Sequence, residues 1–148
     1  MDKSHIHAHL IHLLEERIAE QRTSIESLKA SRDKESKSTT GDKHEVGRAM
    51  AQNELDTQES QLQRTIGLLR ELQNLDPTFQ ADTVVKGSLV TTDKATYFLS
   101  IAWGRLNVDG EEVFVISTAS PLGRQMIGKR AGQHLEFNSQ VQRITAVS

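Results

Sequence analysis

The chain of 148 residues has no cysteine, only two prolines and few aromatics: one Trp, one Tyr and four Phe. Without cysteine there is no disulfide framework, no thiolate zinc site and no Cys nucleophile, which excludes papain-like hydrolases and thiolase-like condensing enzymes whatever the fold. The absence fits a reducing cytoplasm without by itself fixing the compartment. So few aromatics make one large globular core hard to build, whereas a long helical hairpin needs fewer. No run approaches the roughly 20 apolar residues that span a bilayer, and Met1–His9 lacks the basic start and apolar run of a signal peptide. A soluble, unexported, cytoplasmic protein is expected. An excess of charge of one sign is missing too. The 18 Lys+Arg against 20 Asp+Glu leave a formal net charge of −2, which gives no overall reason for duplex DNA binding or membrane-surface attachment. The expected partner is another protein or a small molecule.

What is present divides at Asp76-Pro77. Before it, apolar residues recur at helical spacing. Ile11, Leu14, Ile18, Ile25 and Leu28 step by threes and fours, with Gln21 filling the one missing core position. Leu55, Leu62 and Leu69 then recur every seven residues, flanked by Ile66 and Leu72. Two narrow apolar stripes with charged flanks predict two helices zipped against each other. The polar run Glu35–Asp42, with its small hydroxyls and Gly41, predicts the hairpin tip near residues 36–45. Helices of roughly 30 residues would carry that tip some 40–45 Å from the base at about 1.5 Å per residue.

After Pro77 the period becomes that of strands. Val84–Val90 and Thr96–Ile101 flank a turn at Thr92-Asp93-Lys94. Leu106–Val108 and Val113–Ser117 flank Asp109-Gly110, a strong hairpin dipeptide because both residues tolerate positive φ. Ser120-Pro121 reads as an N-cap followed by Pro at the first helical position, with Gly128 as the stop. Strands near His134–Phe137 and Gln140–Val147 end the chain. The expected class is α+β: an antiparallel coiled-coil hairpin over residues 1–77, then a small antiparallel β domain with one short helix over 78–148.

Chemistry concentrates at the tip. Asp42 and Glu45 stand three residues apart at the start of the second helix. An oxygen-bearing residue followed three positions later by Glu is the usual capping box, and acids there complement the helix dipole. The sharper reading is that two carboxylates at an exposed tip can ligate Mg²⁺, a hard cation that takes oxygen ligands, provided a partner completes the coordination. Lys34, Lys37, Lys43 and Arg48 surround the tip. They can hold phosphates, against the plainer reading of a charge-rich coiled-coil surface. His5, His9 and His12 share a helical face, but no carboxylate or thiolate companion suggests a built metal site, and with His7 they read as solvated side chains of a fraying first turn. His44 reads as a solvated tip histidine. Phosphate-cradling glycine loops, nucleophile elbows and Ser/His/Asp spacings are not evident.

The segment Ser120-Pro121-Leu122-Gly123-Arg124-Gln125-Met126-Ile127-Gly128-Lys129, followed by Gly132, resembles the Ser-Pro-x-x-Arg-x-x-x-Gly-Lys signature of the bacterial Gre transcript-cleavage factors. Lys86-Gly87-Ser88-Leu89-Val90 is similar to the first strand of their C-terminal domain. The order of helical hairpin then C-terminal domain also agrees, so the resemblance covers nearly the whole chain. It implies an FKBP-like C-terminal domain and a hairpin that enters the secondary channel of RNA polymerase. Ser120, Pro121, Leu122 and Arg124 would then contact the polymerase. Asp42 and Glu45 would act as the catalytic tip acids, holding a Mg²⁺ shared with the polymerase over the 3′ end of backtracked RNA. Lys37, Lys43 and Arg48 would be candidate RNA contacts. The chain would be a monomeric accessory factor with no cofactor of its own, not itself an enzyme, stimulating a two-metal hydrolysis by its partner.

Two departures qualify what the resemblance implies. The family's Asn-Ala-Glu-Tyr after the Glu is replaced by Val46-Gly47-Arg48-Ala49, which removes an acid and an aromatic and inserts a helix-weakening Gly. Ala119 precedes Ser120-Pro121 where a polar residue is usual. They motivate a second reading, a non-catalytic secondary-channel regulator. A coiled-coil dimerisation protein is a third. A prolyl isomerase is discounted, since Phe79, Tyr97, Phe98, Trp103, Phe114 and Phe137 barely suffice for the domain's own core, and fold alone does not carry function.

Overall fold

The computed structural model describes residues 1–36 and 41–148; of residues 35, 36 and 41–44 the backbone alone is described. Two long helices, α1 (Lys3–Ser36) and α2 (Gly41–Gln73), precede six strands: β1 (Leu89–Thr92), β2 (Thr96–Ser100), β3 (Gly104–Val108), β4 (Glu111–Ser117), β5 (His134–Phe137) and β6 (Gln140–Val147). The short helix α3 (Pro121–Met126) joins β4 to β5. This is the α+β architecture expected from the two hydrophobic periods. The chain forms two compact units, one of residues 12–70 and one combining residues 1–11 with 71–148.

In the helical unit, Ile18, Ile25, Leu55 and Thr65 are buried. The antiparallel pairing is visible in the grooves between the helices, one lined by Ile25 and Leu62 and another by Ile18, Ile66 and Leu69. Nearer the tip, the Arg32 guanidinium donates to Gln52 Oε1 at 3.1 Å. Seven-residue spacing of Leu55, Leu62 and Leu69 holds one stripe toward the partner helix.

In the other unit, the strand order is β3-β4-β2-β1-β6-β5. Four neighbouring pairs are antiparallel, but β2 and β4 run parallel, Tyr97 beside Phe114. The sheet is therefore mixed, whereas the strand pattern suggested a wholly antiparallel one. The cause is topological: the chain leaves β2, passes to the edge as β3, and the tight Asp109-Gly110 turn returns it as β4 between the two. A hydrophobic pattern reports which residues face inward, not which strand lies alongside. One sheet face is closed by Val84, Val90, Tyr97, Leu99, Leu135, Ile144 and α3's Met126.

The expected strand Val84–Val90 is shorter than foreseen. Gly87 takes φ +94, and Ser88 Oγ accepts from Val85 N at 3.0 Å, so the chain turns before β1 begins at Leu89. Phe79, expected in the core, is 59 % exposed.

The first turn of α1 is docked rather than frayed. Asp2 Oδ1 caps it by accepting from Ser4 N at 3.0 Å. Ile6 and Leu10 are fully buried, so the apolar stripe starts earlier than Ile11. His7 is buried with Nε2 2.6 Å from the Leu72 carbonyl oxygen, and His5 Nε2 lies 2.7 Å from Asp109 Oδ2. The reading of His7 as a solvated side chain of a fraying turn is thereby corrected, whereas His5 remains exposed beside its Asp109 partner. Two fully buried apolar residues four apart supply the force that seats the turn.

Candidate functional site

Two places carry the candidate residues. The first is the start of α2. Its backbone is helical from Gly41, so positions 42 and 45 stand three residues apart in the first turn. Glu45 and Arg48 are exposed, as are Val46 and Met50. Lys37 lies outside the described residues, as do the side chains of Asp42 and Lys43, and with them the choice between a capping and a metal-binding Asp42. Among the described residues, no group of three or more His, Cys, Asp or Glu side chains could hold a metal ion. A cation at this tip would need further ligands from a partner, because two carboxylates leave most of an octahedral shell open.

The second place is α3, whose sequence spells its own construction. Ser120 is the N-cap at φ −65 and ψ 154, and its Oγ accepts from Gly123 N at 3.1 Å while donating to the Ser117 carbonyl at 2.7 Å. Pro121 occupies the first helical turn, where its missing N–H costs nothing. Leu122 is half-buried against the core. Beyond the helix Gly128 takes φ +84, and the chain pairs back onto Val84: Gly128 N donates to the Val84 carbonyl and Val84 N to the Lys129 carbonyl. Ser120, Leu122, Gly128 and Lys129 thus have structural duties. Pro121 and Arg124 are exposed, and the Arg124 side chain makes no hydrogen bond or ion pair among the described residues.

Gly123 has a role that the sequence reading missed. It is buried, and a Cβ there would sit 2.2 Å from the Ser117 carbonyl oxygen and 2.9 Å from Ser120 Oγ. The signal was available: glycine inside a short helix marks a close backbone approach. Lys3 was missed too. It is 7 % exposed, its ammonium donates to the Phe79 carbonyl at 2.6 Å, and burial lowers its pKa against the opposing pull of Asp76. The nearby Asp76 carboxyl is held below the usual carboxylate range, chiefly by the Thr78 hydroxyl at 2.6 Å and the Thr78 amide at 2.9 Å. As for the shared histidine face, His5 pairs with Asp109 and His12 with Glu16 at 2.9 Å.

No helix among the described residues is long and apolar enough to cross a membrane. No family model matches the chain, and no curated protein matches it. Among solved structures, the chain is similar to the transcription factor Gfh1, at 18 % identity over 93 % of this chain and 92 % of that one, with a TM-score of 0.35. It is also similar to Thermus aquaticus Gfh1, at 16 % identity over 92 % of each chain, with a TM-score of 0.31. Similarity at this level leaves the functional reading to the residues themselves.

Proposed function

We propose that this chain is a transcription factor that binds RNA polymerase, working in the cytoplasm, with its helical hairpin in the secondary channel and α3 among the polymerase contacts. The observation that carries the reading is Arg124. Its side chain is exposed and makes no hydrogen bond or ion pair among the described residues, and an exposed arginine on a capped helix is suited to an external carboxylate. The hairpin supports the same reading. A long two-helix shaft buries little surface per residue, so its reach is its use.

At the tip, Asp42 and Glu45 would hold a Mg²⁺ in common with carboxylates of the polymerase and orient the water that attacks backtracked RNA. Charge on the attacking and leaving oxygens would be shared between two metals. Lys37, Lys43 and Arg48 would steer the RNA 3′ end. The cofactor belongs to the complex, and hydrolysis would be the polymerase's own reaction, stimulated by this chain. The second reading, a regulator that fills the channel without promoting cleavage, is favoured by the exposed apolar Val46 and Met50 that follow the acidic pair.

Backtracked elongation complexes of the host polymerase decide between them. The expected result is more cleaved 3′ RNA with the wild-type protein than with Asp42→Ala/Glu45→Ala. Equal yields with retained binding select the non-catalytic regulator. Absence of binding sinks both.

A further inference from the structure

Midway along the hairpin, the apolar seam is interrupted on both helices at one level. On α1 the interruption is Gln21, whose Oε1 is buried without a hydrogen-bond partner among the described residues. On α2 it is Thr65, only 5 % exposed, whose hydroxyl donates back to the Gln61 carbonyl at 3.1 Å. The two side chains line one groove between the helices, with Arg17, Gln61, Arg64 and Leu68. The neighbouring layers on either side are apolar, Ile18 with Leu69 and Ile25 with Leu62. Two residues beyond Thr65 lies Gly67, exposed, with open space where a Cβ would be. Packing therefore does not require glycine there.

Each feature loosens the shaft by a separate route. A buried acceptor without a donor weakens the layer that holds it. A threonine hydroxyl bonded to the carbonyl four residues back perturbs the helical ladder and favours bending. A solvent-facing glycine in a helix interior lowers helix propensity without any gain in contact. A polar layer often fixes register in a coiled coil, but an acceptor left without a donor and a solvent-facing glycine do nothing to specify one.

We propose that the Gln21/Thr65 layer, with Gly67, is a bending point that lets the tip half of the hairpin flex against the half nearer the base. This does not rest on the polymerase reading; it is a property of the shaft in the free chain.

The absence of native cysteine makes the test clean. Spin labels at Asn53→Cys and Arg70→Cys sit 17 residues apart on α2, about 26 Å along a straight helix. The free full-length protein is expected to give a broad distance distribution that narrows on adding Gln21→Leu/Thr65→Val, and narrows independently on adding Gly67→Ala. Amide exchange in the unlabelled protein is expected to show a local maximum across Gln61–Gly67, faster than both 53–58 and 68–72. The double variant should slow it there by about tenfold, the equivalent of relieving one buried unpaired acceptor. Equal distribution widths in all three labelled proteins, or exchange that changes steadily along α2 with no maximum near Thr65, would overturn the proposal.

Discussion

Gly123 and Ser139 show how single residues are dictated by backbone geometry rather than by chemistry. Gly123→Ala places a methyl 2.2 Å from the Ser117 carbonyl oxygen. Thermal and urea unfolding should show a loss of about 1–3 kcal/mol, since overpacking forces the cap and its strand end apart. Ser139 is the opposite case. With Asn138 it forms the two-residue turn between β5 and β6, at φ 63, a left-handed conformation that disfavours a Cβ. Ser139→Gly should stabilise the protein by up to about 1 kcal/mol, the relief of left-handed strain less the entropy of glycine in the unfolded chain. An unchanged or lowered melting temperature would contradict that assignment. The Asp109-Gly110 turn was legible from its residue types alone, and both residues do take positive φ, 52 and 84. The Asn138-Ser139 turn was not foreseen as left-handed, because serine carries no such preference and tertiary pairing of the strands imposes it.

At the scale of elements, the docked first turn of α1 is the main difference from expectation. A helix start with four histidines, no acid in its first turn and few apolar residues reads as frayed. Burial of Ile6 and Leu10 overrides that local reading. The docked Lys3 makes a pH dependence that can be measured. Burial lowers its pKa in the folded protein below the ordinary 10.5. Between the two values the unfolded chain binds more protons than the folded one, so stability rises with pH across that window. Urea unfolding from pH 8 to 11 should show this rise in the wild type and not in Lys3→Met, compared as a difference so that other groups cancel. A fall across the same window would mean that Asp76 outweighs desolvation. The helix α3 shows the reverse relation between local and tertiary information. Its cap, its proline and its stop were all written locally, and the structure agrees with each.

For the whole molecule, the prediction concerns what the fold leaves unused. If the chain binds RNA polymerase as proposed, Arg124→Ala should leave the melting temperature unchanged and weaken that binding about tenfold, the loss expected for an arginine anchor in an interface. A Ser120→Ala variant should behave differently, losing about 1 kcal/mol of stability with its cap and weakening binding only through that loss. If the two variants behave alike, α3 matters as a fold element and not as a contact. Under the proposed function the tip acids Asp42 and Glu45 would belong to the same scale, since a cation held by two carboxylates needs its remaining ligands from a partner.

The sequence by itself determined the two hydrophobic periods, hence two long helices followed by strands, and the places where the chain turns, because periodicity, prolines and turn residues act within a few neighbours. It also determined the composition of α3 and the pairing of acids beyond Gly41. Only the tertiary structure decided that β4 enters the sheet parallel to β2, that the N-terminal turn with Lys3 and His7 is buried, that Gly123 has no room for a Cβ, and that Gln21 and Thr65 line one groove. Each of these depends on which distant surface arrives at a residue, and burying large apolar side chains outweighs local preferences of a fraction of a kcal/mol per residue.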